Sequence, residues 1–244
     1  MRLPAEPTRC SPRFEAVLFD NGGTLFQRTP APAIIRQLAA QRGVTISLAD
    51  AQARWSALKA GRLRTPEARL ERNRSHRAHR IAYTSLYRPL DEICDGLAEE
   101  MYERYKTSPD TMVPYADVRS TLERLRAAGL ATGIVSNTGW DIRQGYQRAG
   151  LAQLIDVFVL SHEHGMAKPD PTLIRRACDT LGVEPGRTLM VGNDAPADGG
   201  AATAVGCPCL ILPPAPLGSV RGLDHVLALA GLAVLSGDPA TSKA

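Results

Sequence analysis

Short apolar runs that end in polar or small residues recur along this chain, separated by longer stretches with helical spacing. Phe14 to Phe19 (FEAVLF) ends in Asp20 and then Asn-Gly-Gly. It is too short for a helix and reads as a buried parallel strand that delivers a polar residue to a loop. Leu130 to Val135 (LATGIV) ends likewise in Ser136 and Asn137, Val157 to Leu160 precedes Ser161, and Thr188 to Val191 ends in Gly192-Asn193-Asp194. Between them, Val118 to Ala128, Asp141 to Ala149 and Pro171 to Leu181 carry apolar residues at helical spacing, closed by Gly129, Gly150 and Gly182 where a C-cap would sit. This alternation predicts an α/β fold on a doubly wound parallel sheet, whose ligands bind at the carboxyl ends of the strands.

Residues from about Gln27 to Met112 break the rhythm. They are rich in Ala, Leu, Arg and Glu at helical spacing and contain no convincing strand. The pattern predicts a core made of residues 1–26 and 113–244 and an inserted helical cap over 27–112, placed above the strand ends where it can act as a lid. Pro213 to Pro216 reads as a turn, and the closing SGDPATSKA as a frayed tail.

With 244 residues, 44% of them hydrophobic, the chain can bury a substantial core without disulfide or metal staples. Cys10, Cys94, Cys178, Cys207 and Cys209 are an odd number with no Cys-x-x-Cys spacing, which fits reduced thiols of a cytoplasmic protein. The opening MRLPAEPTRCSPRF has charge and proline where a secretory signal needs an apolar run, and Leu227 to Leu235 is too short to span a bilayer. Neither secretion nor a membrane is expected, and no pattern speaks to oligomeric state.

The formal charge of +4 is mild but uneven: between residues 62 and 80, Arg62, Arg64, Arg69, Arg72, Arg74, Arg77 and Arg80 face only Glu67 and Glu71. Such a run is either a solvated helix face or an attraction for an anionic substrate. Nucleic acid is not expected, because no aromatic residue is interleaved with the arginines.

The strand ends supply, in order, Asp20, Ser136 with Asn137, Lys168, and Asp194 with Asp198. A carboxylate at a strand terminus can attack an electrophilic phosphorus or carbon and split one hard displacement into two easier ones; its alternative is to cap the following turn. Asp194 and Asp198 can place carboxylates around a divalent cation such as Mg²⁺, or cap the helix that starts near Asp198. The Lys168 ammonium can hold Asp20 and a substrate anion together. Ser136 and the backbone N–H groups near Asn137 and Thr138 can grip phosphate oxygens.

The order FDNGGTLF at Phe19, Ser-Asn at Ser136, GMAKPDP at Gly165 and VGNDAPAD at Val191 resembles the haloacid dehalogenase-like hydrolases, over nearly the whole chain. The insert between the first and second motifs is similar to that family's helical cap. The resemblance implies a Rossmann-like core; Asp20 as nucleophile with Lys168; Ser136, Asn137, Gly23 and Thr24 around a phosphate; and Mg²⁺ held by Asp20, the Gly22 carbonyl, Asp194 and Asp198. A small phosphorylated metabolite is the implied substrate.

Two departures stand out. The family's phosphatases usually carry a second Asp two residues after the nucleophile, as general acid and base, where this chain has Gly22. Its loss removes a contribution of about 100-fold to 10,000-fold and leaves three expectations: an acid borrowed from His76, His79, His162 or His164; a leaving group that needs no proton, as in the family's dehalogenases and phosphonate hydrolases; or binding with little turnover. Asn193 stands where the family often has its first metal-binding Asp, with Asp194 next to it.

Overall fold

The apolar runs assemble into one parallel sheet. The computed structural model describes residues 13–60 and 66–232. Strand β1 (Ala16–Phe19) leads through β2 (Phe26–Arg28) into helices α1 (Ala31–Gln41), α2 (Leu48–Ala60), α3 (Pro66–Arg72), α4 (His76–Tyr87) and α5 (Leu97–Met101). The chain returns through β3 (Met112–Pro114), then runs α6 (Val118–Ala127), β4 (Ala131–Ser136), α7 (Arg143–Arg148), β5 (Val157–Leu160), α8 (Ser161–His164), α9 (Thr172–Leu181), β6 (Thr188–Gly192), α10 (Gly200–Thr203), β7 (Cys209–Ile211) and α11 (Asp224–Leu229).

The main sheet has the order β5-β4-β1-β6-β7, with every neighbouring pair parallel. Helices cover both faces, so β1 and β6 are buried throughout, and this is why they read as continuous apolar runs rather than as an alternation. Val17, Phe19 and Leu189 pack with Leu122, Leu125 and Val226 on one face. Leu18, Val135 and Met190 pack with Leu173, Ile174 and Ala201 on the other. Gly133 is what lets β4 lie so close: a Cβ there would come within 2.6 Å of Leu18 and 2.7 Å of Val157.

A third cluster, with Ile35, Leu38, Trp55, Tyr87, Leu97 and Tyr102 among its members, is drawn entirely from the inserted helices. The insert thus buries its own apolar stripe.

The structure amends the sequence reading in three places. Residues 27–112 were expected to lack strands, yet Gln27, Arg28 and Met112 belong to the antiparallel pair β2–β3. The two legs of the insert lie side by side and pair over three residues, a tertiary pairing with no local signature. Strand β7 is a three-residue edge strand, too brief for periodicity to reveal. Helix α7 starts at Arg143 rather than Asp141, whose carboxylate accepts the Arg143 N–H.

Cys10, Arg62, Arg64, the closing tail and the Arg69 side chain fall outside the described residues. Among the described residues, no helix is long and apolar enough to cross a membrane.

Candidate active site

β1 is the central strand, with β4 on one side and β6 on the other, so Asp20 emerges where the sheet's connections diverge. The Asp20 N–H donates to the Val191 carbonyl at 2.8 Å, which carries the first residue of the loop in strand register. Its side chain keeps 14% exposure.

Lys168 is the hub of the site. It is one of the largest fully buried side chains in the protein. Its ammonium donates to Asp20 Oδ1 at 2.9 Å, Asp198 Oδ1 at 2.6 Å and the Val135 carbonyl at 2.6 Å, so its three N–H groups have three acceptors. Asn137 fixes the backbone on which this side chain stands: its Oδ1 accepts the Lys168 N–H at 2.7 Å and its Nδ2 donates to the Lys168 carbonyl at 2.8 Å. The Asn137 side chain therefore holds the lysine.

Asp198 completes the group. Its Oδ2 accepts the N–H of Asn193 and of Asp194, each at 3.0 Å. That approach needs Gly192, because a Cβ there would lie 2.1 Å from Asp198 Oδ2.

Burial pushes the Asp20 carboxyl up and Lys168 pulls it down, while Asp198 adds to the upward push, and the result is a raised pKa. Burial also works against the Lys168 charge, but Asp20 and Asp198 outweigh it and its pKa is raised. The lysine is a held cation. Removing it as Lys168→Met strands two carboxylates, one fully buried, and is expected to cost about 3–5 kcal/mol of unfolding free energy, read from chemical denaturation. A loss within about 1 kcal/mol, the scale of an exposed ion pair, would mean the cluster is solvated.

The other residues named from sequence are distributed around this hub. Ser136 ends β4, buried, in register with Leu160. Thr24 is buried and its hydroxyl donates to Asn193 Oδ1 at 3.3 Å. Gly23 passes directly beneath the same side chain, where a Cβ would fall 2.5 Å from Asn193 Nδ2. The Thr138 N–H is committed to Ser161 Oγ at 2.9 Å and so is not a spare phosphate donor.

Asp194 reaches the cluster of Asp20, Lys168 and Asp198 only through its backbone, and its carboxylate is turned elsewhere. Its residue is exposed and its Oδ1 accepts the Ala197 N–H at 3.1 Å, capping the π-helical turn Ala195–Gly199. The orphan N–H groups at the start of that turn compete for this carboxylate. The capping alternative therefore describes Asp194, whereas Asp198 faces the lysine.

Among the described residues, no three His, Cys, Asp or Glu side chains are grouped so as to hold a metal ion. Both Asp198 oxygens already accept hydrogen bonds, which leaves Asp20, the second carboxylate oxygen of Asp194, the Gly22 carbonyl and the Asn193 amide oxygen, itself an acceptor from Thr24, as candidate donors. Mg²⁺ is commonly bound by one or two carboxylates plus substrate phosphate. This set fits a cation that a substrate helps to hold better than one bound by the protein alone.

Of the four candidate histidines, His79 is the best defined. It is buried, its Nδ1 lies 3.0 Å from the Tyr102 hydroxyl, and it seats against Gly139, where a Cβ would come within 2.1 Å of His79 Cβ. Burial and the neighbouring charges of Lys106 and Arg72 hold its pKa down at about 2. It is neutral at ordinary pH and does not carry the proton a leaving group would need. His162 is also lowered by burial and contacts the Thr138 carbonyl at 3.2 Å.

The His79 shift has a pH consequence. In the unfolded chain this residue binds a proton below about 6.5, while in the folded state it does not until about 2. The unfolded state therefore gains protons as pH falls from 6.5, and stability is lost by up to about 1.4 kcal/mol per pH unit. Denaturation midpoints of His79→Gln are expected to fall less steeply than wild type between pH 6 and pH 4; parallel slopes would show that His79 is not the cause.

Sequence reasoning missed Tyr146 and Arg221. Buried Tyr146 donates its hydroxyl to Asn21 Oδ1 at 3.1 Å, and buried Arg221 donates to the Gly23 carbonyl at 2.7 Å. Both brace the loop after β1 from remote helices and loops, so no local motif marks them.

A family model for haloacid dehalogenase-like hydrolases matches residues 14–206. The chain belongs to this family. It is 29% identical over 185 residues to an N-acetylmuramic acid 6-phosphate phosphatase of Pseudomonas aeruginosa, covering 75% of this chain and 74% of that one. It is 33% identical over 107 residues to (S)-2-haloacid dehalogenase 4A of Burkholderia cepacia, covering 43% of this chain and 45% of that one, less than half of the dehalogenase. Among solved structures, a HAD phosphatase from Thermococcus onnurineus aligns with a TM-score of 0.60 at 26% identity, over 90% of this chain and all of that one. The haloacid dehalogenase-like fold of a parallel sheet flanked by helices is thus shared, and the relatives include both phosphatases and dehalogenases.

Proposed function

We propose that this hydrolase cleaves a small phosphorylated metabolite in the cytoplasm through a covalent phosphate on Asp20, assisted by Mg²⁺ that enters with the substrate. The observation that carries the reading is the Asp20–Lys168–Asp198 cluster, in which a partly exposed carboxylate is held at a strand end by a buried cation. Asp20 attacks phosphorus, the bond to the leaving oxygen breaks, and water then attacks the acyl phosphate to release phosphate and restore the carboxylate. Lys168 holds the Asp20 carboxylate oriented for the attack and stays beside the acyl phosphate while water cleaves it. Gly22 offers no acid, so the leaving oxygen takes its proton from solvent. A bound Mg²⁺, held by Asp20, the Gly22 carbonyl and Asn193, would supply charge neutralisation for the phosphoryl oxygens.

A second reading, displacement of halide from a 2-haloacid by Asp20, is favoured by one observation: Asn193 and Gly22 leave the site without two carboxylates that metal-assisted phosphoryl transfer would use. The two separate cleanly. Phosphate release from a panel of phosphate esters that stops with a chelator and returns with Mg²⁺ supports the first. Halide release from 2-chloropropionate that persists in chelator, with no phosphate released, replaces it with the second.

A further inference from the structure

The turn after the nucleophile contains two adjacent glycines, Gly22 and Gly23, and such a pair leaves the backbone unusually free to rotate. Hydrogen bonds nevertheless fix the peptide planes on either side of Gly23, whose φ is +81°. The Gly23 N–H donates to the Phe26 carbonyl at 2.7 Å, and because the Gly22–Gly23 peptide is trans, the Gly22 carbonyl is turned the opposite way. In the next plane the Thr24 N–H donates to the Asn21 carbonyl at 3.3 Å, while the Gly23 carbonyl accepts from Arg221 Nε at 2.7 Å. The first two of these bonds are made inside the turn. The third comes from a residue 198 positions away.

Arg221 is itself firmly seated. It is 4% exposed, its guanidinium lies 5.7 Å from the centroid of the Tyr115 ring, and a terminal nitrogen donates to the Leu212 carbonyl at 3.4 Å. One carboxylate grips its backbone: Asp117 Oδ1 accepts the Arg221 N–H at 2.8 Å, and Oδ2 accepts the N–H groups of Gly222 and Leu223 at 2.8 and 2.9 Å. Asp117 stands just ahead of α6 yet makes no side-chain cap for that helix; its charge-assisted bonds go to the Arg221 turn. Leu212 in turn donates its N–H to the Gly192 carbonyl at 2.8 Å, at the end of β6 and next to Asn193. Arg221 therefore ties Gly23 to the strand end that carries Asn193, the side chain beneath which Gly23 passes.

We propose that Arg221 is a positioning residue for the hydrolysis: seated by Asp117, it fixes the Gly23–Thr24 peptide and so sets the Gly22 carbonyl and the Asn193 side chain relative to the Asp20 carboxylate. The inference rests on the reading of Asp20 as nucleophile and holds whether phosphorus or carbon is attacked. A glycine peptide released from its guanidinium rotates among several orientations, so a smaller share of bound substrate sits in reactive geometry. Arg221 is buried and acts through backbone, so the loss falls on kcat rather than on KM. The planar guanidinium reaches the Gly23 and Leu212 carbonyls together, whereas a lysine is a single point donor and replaces it in part.

The test measures kcat, KM and amide hydrogen exchange for Arg221→Met, Arg221→Lys and Asp117→Asn, with the best substrate from a panel of phosphate esters and 2-haloacids. Arg221→Met is expected to lower kcat at least about tenfold with KM little changed, and Arg221→Lys to recover at least about threefold of that loss. Exchange in a peptide spanning residues 19–28 is expected to quicken at least about tenfold in Arg221→Met, while exchange across β4 stays as in wild type. If Arg221→Met does not fold, Asp117→Asn, which keeps the guanidinium and loosens its seat, is expected to lower kcat at least about fivefold with the same local change in exchange. A smaller loss of kcat, a loss carried by KM, no recovery in Arg221→Lys, or exchange that is unchanged at the turn or raised equally in β4 overturns the positioning role. Asp20→Asn that keeps its rate while Arg221→Met loses it would instead overturn the nucleophile reading and leave the positioning role standing. No turnover of any panel member by the unaltered protein overturns both.

Discussion

Asp20→Asn is expected to lower hydrolysis at least about a thousandfold, because the amide keeps the shape of the side chain but cannot form the covalent intermediate. The fold should survive. An amide oxygen still accepts from Lys168, and the shorter of the two ion pairs, Lys168 with Asp198 at 2.6 Å, is untouched. Single-turnover assays with the variant and wild type at matched concentration read the effect, with thermal midpoints as the control for folding. A residual rate within tenfold of wild type would remove Asp20 from the chemistry and leave the cluster as a structural ion network.

Gly22→Asp is expected to raise turnover of phosphate esters by about 100-fold to 10,000-fold, the usual contribution of a placed general acid and base. The backbone admits the change. Apart from its two chain neighbours, no heavy atom lies within 4 Å of a Cβ added at Gly22, and its φ is not in the left-handed region. The gain should depend on the leaving group. An alkyl phosphate needs its departing oxygen protonated and should gain most; p-nitrophenyl phosphate leaves as a stable anion and should gain least. The ratio of kcat for the two substrates, measured in both proteins, isolates the acid from any change in binding. If both substrates gain nothing while halide release from a 2-haloacid proceeds in wild type, the site is built for a leaving group that never needed a proton, and Gly22 belongs to that design.

Together these substitutions probe opposite ends of one site. Asp20 is held by a buried lysine that also pairs with Asp198, while two residues on, the chain leaves open space beside Gly22. The neutral state of His79 narrows the choices further, because the buried histidine of the insert lacks the acidic imidazolium proton that would serve in its place.

Local pattern made β1, β4, β5 and β6 legible, because strands buried on both faces leave short apolar runs with abrupt polar ends. The same abruptness made Asp20, Ser136 and the loop after β6 visible as candidates. Partition of the two acids was not legible. Asp194 and Asp198 have the same chemistry and sit four residues apart; only the folded turn decides that the first caps Ala197 while the second reaches Lys168. The arginine run was legible as charge but not as geometry: Arg80 pairs with Glu99 and Glu103 on the outside, whereas Arg72 stacks on Tyr83.

What the sequence determined by itself was the alternation of elements and the order in which reactive residues arrive at the strand ends, since these follow from periodicity and from side-chain type, while the family came from the resemblance of its motifs. What only tertiary structure decided was which groups share a hydrogen bond. Asn137 clasping the Lys168 backbone, Tyr146 reaching Asn21 across 125 positions and the insert seating on Gly139 are contacts between segments distant in the chain. Such contacts are set by how the helices pack on the sheet, and packing is a property of all the side chains at once.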